Sequence, residues 1–454
     1  MPTSRHIVES IWRAAVCAVD SARLVEQAIQ VENHHLVIAG QKIPLAALRR
    51  IEVVGAGKAG AGMAQGAEIA LSPLGKPLTG WVNVPAGCVR PLMSITLHPA
   101  RPAGLNEPTE AGVAGSEEIL RRVSALGAGD LCLVLISGGG SALLPAPIDG
   151  VSLADKAATI RHMSLAGASI DELNCVRRQL SRIKGGGLAR ACRAQWLVTL
   201  VISDVIGDPL EVIASGPTID FPPEPERALQ LLERFAPGWK GIPTAVVDAL
   251  MHSQARSVAF FSETGRTFSE KKATVGAVSI IGHNQTAVDA AQREAVSLGL
   301  DVRVLGIGQA GEAKTVGREL AEECLRIQPS LKRSLCLISG GEPIVRVEKR
   351  PGPQKGGRNQ ELALAALCRL IETQATGITI LSGGTDGEDG PTDAAGAIAD
   401  STIAQAATEH HLYPTEFLVD HNSYPFFEQT GGLLITGPTH TNVMDVRVAL
   451  VEPL

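Results

Sequence analysis

Aromatic side chains are scarce in this chain: phenylalanine, tryptophan and tyrosine together make up 3% of its 454 residues. Hydrophobic residues still reach 45%, so the cores must be packed from Ala, Val, Leu and Ile. Blocks of basic residues are also missing, and the formal net charge is −6. That argues against a nucleic-acid partner and against an anionic membrane surface. No apolar run approaches the length needed to cross a bilayer; LCLVLI at 131–136 is typical of the longest. The eight cysteines include no CxxC pair. Several, such as Cys132 and Cys336, fall inside strand-like runs and read as buried thiols, with neither a disulfide framework nor a zinc site. A reducing cytoplasm is the expected location. Charges interrupt the apolar residues of the first twenty positions, so this segment reads as an amphipathic helix with Ile7, Ile11, Ala14 and Ala18 along one face, and not as a signal peptide.

Glycine, in contrast, is abundant at 48 residues. Short apolar runs without alternation, many ending in glycine, alternate with helical patterns along the whole chain. Unbroken apolar strands joined by helices imply a parallel sheet covered on both faces. The expected fold is therefore α/β, with two domains, each a mainly parallel sheet flanked by helices in a Rossmann-like manner. Periodicity weakens between about 235 and 275, which gives expected domains of 1–250 and 251–454. In the helix-like segment after AVSIIGHN, Ala287, Ala291, Ala295 and Leu298 share a face and Gly299 suits a C-cap. One pattern recurs: a strand followed by Ser-Gly-Gly, at 135–143, 337–345 and 380–388. The repetition suggests turns that serve one ligand at the carboxyl ends of strands.

The candidate chemistry lies in these turns. Gly55-Ala56-Gly57-Lys58-Ala59-Gly60 fits GxGxxG between a strand and a helix, where backbone N–H groups can approach a phosphate. A dinucleotide site also needs an acid at the end of the next strand, and GWVNVPAG supplies none. Lys58 inside the turn favours phosphate over ribose. Ser137-Gly138-Gly139-Gly140-Ser141 reads first as a backbone nest for an anion; a nucleophilic Ser141 is the alternative, without the GxSxG elbow. Lys184, before three glycines, is a further cation. Asp204 follows a strand and is suited to hold Mg²⁺ or to accept a proton, or to cap a turn. Arg358 and Asn359 open an amphipathic helix, where arginine can clamp a carboxylate or phosphate. The loop SGGTDGEDGPTD gathers Asp386, Glu388, Asp389 and Asp393. Such a loop requires a metal ion or nearby Lys and Arg; its spacing is not that of an EF-hand, and Mg²⁺ bound by one or two carboxylates plus phosphate oxygens suits it better than calcium.

Taken in order, GAGKAG, LISGGGSALLPAP, LSRIKGGGLA, VISDVIGDPLEVIASGPT, GGRNQELALA, SGGTDGEDGPTDAAGA and TGPTHTNVMD resemble the class II glycerate 2-kinases, which carry a C-terminal MOFRL-type domain and some of which are labelled hydroxypyruvate reductases. The resemblance spans nearly the whole chain. It implies ATP- and Mg²⁺-dependent phosphorylation of D-glycerate at the 2-hydroxyl, two α/β domains and an active site in the cleft between them. The functional lysine of that family falls on Lys58 and its arginine on Arg358. Lys58 and Arg358 are then expected to neutralise the phosphoryl group or substrate carboxylate. Asp386 or Asp204 would bind Mg²⁺ or take the hydroxyl proton. Binding positions are Gly55, Gly57, Ser137, Gly138, Gly139, Gly140, Ser141, Lys184, Gly340, Gly341, Asn359 and Asn442, with Asn442 and Asp445 as alternative braces of the loops. The chain departs from the pattern at Pro343-Ile344, where two threonines are expected, at His440, where a glycine is expected, and at Gly187, where an arginine is often found. A kinase for a related sugar acid, an NAD(P)H-dependent hydroxypyruvate reductase and a non-catalytic sugar-acid sensor are the rival readings. The expected partners are small molecules, and a homodimer is left open.

Overall fold

The computed structural model describes residues 3–102, 107–264, 276–347 and 354–454. The chain forms two compact units. One comprises Ala22–Val201 and Pro209–Ile281; the other is assembled from Met1–Ser21, Ile202–Asp208 and Gly282–Leu454. The single cut expected near residue 250 thus differs from the observed division: the first helix and the short segment after Ile202 join the C-terminal unit. Part of the region of weak periodicity, residues 265–275, lies outside the described residues.

The first unit begins with a small antiparallel sheet of β1 (Ile29–Glu32), β2 (His35–Ile38) and β3 (Gln41–Pro44). Its main sheet contains β4 (Arg50–Ala56), β5 (Leu78–Pro85), β6 (Ile95–Arg101), β7 (Asp130–Ile136), β8 (Trp196–Ile202) and β9 (Ala277–Gly282), in the order β6-β5-β4-β7-β8-β9. The pairings β5·β6, β4·β5, β4·β7 and β7·β8 are all parallel. β4 and β7 are buried along almost their full length, which is why their sequences run apolar without alternation. Chain order reverses between β4 and β7. In a doubly wound sheet that reversal opens a crevice at the carboxyl ends of the two strands. A separate helical core, including Met163, Leu173, Val176, Leu232, Val246 and Leu250, completes this unit.

The second unit contains β10 (Asp301–Gln309), β11 (Leu335–Gly341), β12 (Ile378–Gly384), β13 (Gly396–Ala399), β14 (Leu433–Leu434) and β15 (Asp445–Val451), ordered β10-β11-β15-β12-β13-β14. Only β10·β11 is parallel; β15 runs antiparallel to both β11 and β12. The α/β expectation holds, but here the sheet is mixed, not mainly parallel. Helices cover both faces, so β11, β12 and β15 are buried throughout whatever their direction, and periodicity carries no information on strand polarity. Ala313–Ile327 and Arg358–Glu372 pack on one face, with Leu320, Leu337, Ala366, Ile380 and Ala449 in a common core. Ser4–Ala18 and Asn284–Ser297 cover the other.

The first helix buries Val8, Ile11, Trp12 and Ala15. This is a face rotated by about one residue from the expected Ile7, Ile11, Ala14 and Ala18, because Trp12 supplies the largest apolar surface and takes the centre. Its indole N–H donates to the Gly383 carbonyl at 3.2 Å, and Ser10 Oγ donates to Glu294 at 3.0 Å. In Asn284–Ser297 the predicted alanines are buried, Leu298 is exposed, and Gly299 takes φ +79° as a C-cap should. All eight cysteines are free, Cys132 and Cys336 fully buried among them. Among the described residues no helix is long and apolar enough to cross a membrane.

Trp12 ties the first helix to the C-terminal unit, so Trp12→Ala should destabilise that unit by about 3–5 kcal/mol. Urea unfolding with a probe in the C-terminal unit measures this; an unchanged midpoint would show that the helix is not an integral part of it.

Candidate active site

In the first unit, the crevice between β4 and β7 receives both predicted glycine turns. The Lys58 N–H donates to the Gly138 carbonyl at 2.8 Å, and the Ser137 N–H to the Ala56 carbonyl at 3.1 Å. The Ala59 N–H donates to Ser137 Oγ at 3.0 Å. Glycine is required at 57: φ is +150°, and a Cβ would lie 1.9 Å from Ser137 Oγ. Gly55, Gly57 and Ser137–Ser141 are thus one interlocked structure, with Lys58 Cγ and Arg101 Nη2 at 3.4 and 3.6 Å from where a Cβ on Gly139 would stand.

Cations accumulate behind these turns. Lys184 is buried, and its Nζ donates to the Ser141 carbonyl at 2.8 Å and to Ser141 Oγ at 2.6 Å. Ser141 Oγ lies 3.2 Å from Ser215 Oγ. Burial, reinforced by Lys156 and Arg177, holds the Lys184 amine well below the ordinary lysine value. Lys156 is itself buried, donates to the Leu180 carbonyl at 3.0 Å, and is pulled down to about 7 by burial and by Arg177. Ser215, not singled out from the sequence, sits at φ +62° beside Ala214 at +51°. The usable signal was a serine ahead of Gly-Pro in the motif IASGPT. At the Gly187 departure, a Cβ would lie 2.2 Å from the Arg182 carbonyl, so this backbone admits no arginine there.

In the second unit, the two remaining Ser-Gly-Gly endings flank a single residue. Asp445 pairs with Gly341 on β11 and with Gly384 on β12, while Arg447 pairs with Ser339 and Ser382. Asp445 is fully buried and accepts both Nε and Nη2 of Arg358, at 2.7 and 2.8 Å. Arg358 Nη1 reaches Glu342 at 2.8 Å. Burial disfavours the guanidinium charge, but the two carboxylates outweigh it and hold Arg358 above the ordinary arginine value. Arg447 is also buried; among the described residues its three guanidinium nitrogens have no hydrogen-bond partner, and burial lowers it to about 10. Gly340 and Gly341 end β11 directly beneath this group.

The acidic loop is held from within the fold. Asp389 accepts the N–H groups of Asn359 and Gln360, at 3.0 and 2.9 Å, and so caps the helix that carries Arg358. That helix N-terminus is an electropositive partner for a carboxylate. Burial nevertheless raises Asp389 to about 6, against the two backbone donors. Asp393 accepts the Tyr424 hydroxyl at 2.7 Å. Asp386 Oδ1 accepts the Glu388 N–H at 3.1 Å. Asn359 is fully buried: its amide donates to Asp389 and accepts from Ser382 at 2.6 Å. It braces the loop, where the sequence suggested a ligand-facing role. Asn442 donates to Asp204 at 3.1 Å, the bracing contact given above as its alternative. His440 has φ +59°, a left-handed conformation that accounts for the glycine expected there.

A cleft of about 730 Å³ opens beside Arg358, lined by Asp204, Glu342, Glu361 and His421 and walled by Pro343, Ile344, Val345 and Pro391. Asp386 is not among its lining residues. The threonine-to-apolar departures therefore line this cleft. Glu361 and His421 were missed by sequence reasoning. His421 Nδ1 lies 2.8 Å from Glu361 Oε2, both side chains buried, and burial raises the Glu361 carboxyl. Glu361 was visible within GGRNQEL; nothing local marks His421.

Comparison with known proteins places this architecture. Residues 7–251 match the family described as Domain of unknown function (DUF4147), and residues 335–445 match the MOFRL family. The chain is 35% identical to a glycerate kinase of Danio rerio, over 98% of this chain and 97% of that protein. It is 35% identical to a glycerate 2-kinase of Pyrococcus horikoshii, over 96% and 95%. The crystal structure of a glycerate kinase from Thermotoga maritima superposes with a TM-score of 0.80 at 33% identity, covering 98% of this chain and 99% of that one. The chain belongs to the glycerate kinase family built from DUF4147 and MOFRL domains.

Two outcomes test the geometry. Asp445→Asn leaves Arg358 without its bidentate carboxylate and should cost about 3 kcal/mol in urea unfolding; a change under about 0.5 kcal/mol would contradict the bidentate pair. The Lys156 amine titrates near 7 in the fold and near 10.5 unfolded, so between those values the unfolded chain binds the extra proton. Stability therefore rises with pH across that window, by up to about 1.4 kcal/mol per unit from this group. Lys156→Met should flatten the rise, read as unfolding midpoints at pH 7 and pH 9.5.

Proposed function

We propose that the protein transfers the γ-phosphoryl group of ATP to the 2-hydroxyl of D-glycerate, giving 2-phosphoglycerate and ADP. The relatives named glycerate 2-kinase support the acceptor. The observation that carries the reaction class is the β4/β7 crevice, where a lysine-bearing glycine turn is hydrogen-bonded to a second glycine turn. Such a site offers amide N–H groups and positive charge to an anion. The rival reductase needs a carboxylate at the end of β5 for the ribose of a dinucleotide; that strand ends Asn83-Val84-Pro85, and Asn83 is buried with its amide donating to the Leu143 carbonyl at 2.8 Å.

Phosphoryl transfer demands positioning and charge neutralisation more than covalent participation by the protein. We assign Lys58 and the turns at Gly55, Gly57 and Ser137–Ser141 to the anionic groups of the substrates. Arg358 contributes positive charge at the cleft, where an incoming anion would have to share it with Asp445 and Glu342. A magnesium ion is part of this reading. Among the described residues no three His, Cys, Asp or Glu side chains converge on a metal position, and Asp204, with Asp386 in the neighbouring loop, fits an ion held by one or two carboxylates and by phosphate oxygens. When bound, Mg²⁺ would neutralise the β- and γ-phosphates. Cytoplasmic location belongs to the same reading.

Purified protein with D-glycerate, ATP and Mg²⁺ should release ADP, and with hydroxypyruvate and NADH should leave the NADH absorbance unchanged. Lys58→Ala should lower kcat by about a hundredfold or more with an unaltered unfolding curve. NADH oxidation by the wild type, or near-normal turnover by the variant, would refute the assignment.

A further inference from the structure

The cation cluster behind the Ser137–Ser141 turn includes one contact that anion binding does not require. Lys184 Nζ lies 2.6 Å from Ser141 Oγ, and Ser141 Oγ lies 3.2 Å from Ser215 Oγ. A lysine serving only as a fixed charge would face the ligand or a carboxylate. Lys184 instead is buried with its Nζ against a half-buried serine at the crevice turn. The charged groups that bear on the Lys184 amine are positive: Lys156 from the helix Leu153–Leu165 and Arg177 from the helix Ile170–Gln179; Lys58 and Arg101 stand beside Gly139 of the same turn. The two turns packed on it add hydroxyls and backbone. Ser215 is held at a left-handed φ of +62°, a conformation that is costly for a non-glycine residue and persists where the surroundings impose it.

We propose that Ser141, Lys184 and Ser215 form a Ser–Lys–Ser proton relay that accepts the proton of the acceptor hydroxyl. This rests on the kinase reading for the identity of the acceptor, a small 2-hydroxy acid, but not for the reactivity of Ser141. In the relay, Ser141 Oγ takes the proton from the substrate hydroxyl while its own proton passes to the lone pair of Lys184 Nζ. The substrate oxygen forms its bond to the γ-phosphorus, the bond from that phosphorus to the bridging oxygen breaks, and ADP leaves with the electron pair. Lys184, now an ammonium beside Lys156 and Arg177, readily returns the proton through Ser141 to solvent. Ser141 is the catalytic residue in this scheme, and Lys184 acts through it. An unprotonated Lys184 is what its burial and cationic neighbours favour. Asp204 and Asp386, given above as alternative bases, remain with the metal.

The test uses a fluorophosphonate probe on the full-length protein, followed by peptide mass spectrometry. Attack by Ser141 Oγ on phosphorus expels fluoride, and the serine proton goes to Lys184. The expected result is labelling at Ser141 whose rate rises with pH until Lys184 is fully unprotonated. Ser141→Ala should abolish it, and Lys184→Met should slow it by about a hundredfold and remove the pH dependence. Absence of label on Ser141, or a folded Lys184→Met variant that labels as fast as wild type, would each overturn the relay. Turnover of D-glycerate, measured on the same preparations, separates the two readings. An active kinase with an inert Ser141 removes the relay alone; a reactive, Lys184-dependent Ser141 without glycerate phosphorylation removes the kinase reading alone. In an active enzyme, Lys184→Met should lower kcat with little change in the KM for ATP.

Discussion

The Asp445 carboxylate has no access to solvent, so its charge has to be compensated where it stands. Desolvating an isolated carboxylate is prohibitive, and a buried one persists only with charge and hydrogen bonds arranged around it. The sheet is built to permit this. Gly341 and Gly384 on the neighbouring strands present no side chains beside it, and the resulting space admits the guanidinium of Arg358 in a two-pronged contact. Arg358 is fixed in turn by its place at the start of a helix that Asp389 caps from the acidic loop. β11, β12, β15, that helix and the loop are therefore registered to one another through one buried charge. The loop that looked from sequence like a cation trap is largely a structural device, with a helix terminus in the part of the cation.

The two units handle charge in opposite ways. Arg358 itself is matched by two acids, and the adjoining cleft carries Asp204, Glu342 and Glu361 against one arginine. Around Ser141 the cations Lys156 and Lys184 are buried and Arg177 is half-buried, with no acid among the groups that act on Lys184. Fully matched charge favours a fixed geometry; unmatched buried charge lowers the affinity of amines for protons and attracts anions. The same residue type thus does different work in the two places, and only the three-dimensional neighbours reveal which.

Much of this was legible in the sequence. The glycine turns, Lys58, Arg358 and the α/β class follow from local rules: unbroken apolar runs, Gly-rich strand ends and a cation within a turn. What was not legible depends on pairing between distant segments. The direction of β15 left no trace in its sequence. The first helix was recognised, but its buried face was set by Trp12 meeting Gly383, hundreds of residues away. Asn359 looked like a ligand contact because it neighbours Arg358, yet helix geometry turns it toward Asp389 and Ser382. Glu361 was in plain view inside a recognised motif, whereas its partner His421 lies in a loop with no local signature. The pairing of Ser141 with Lys184 is of the same kind, since each residue had been noted and the contact between them had not.

The C-terminal unit is stitched from three stretches of chain, and one of them is the opening helix. During synthesis that helix leaves the ribosome long before its docking surface on β12, β15 and Asn284–Ser297 is made. It must therefore wait, with Val8, Ile11 and Trp12 uncovered, while the whole of the other unit is translated and acquires its own structure. Until then the segment Ser4–Ala18 stays sticky, a natural client for chaperones. A bulky insertion beside that helix would interfere with a late act of maturation, and not an early one.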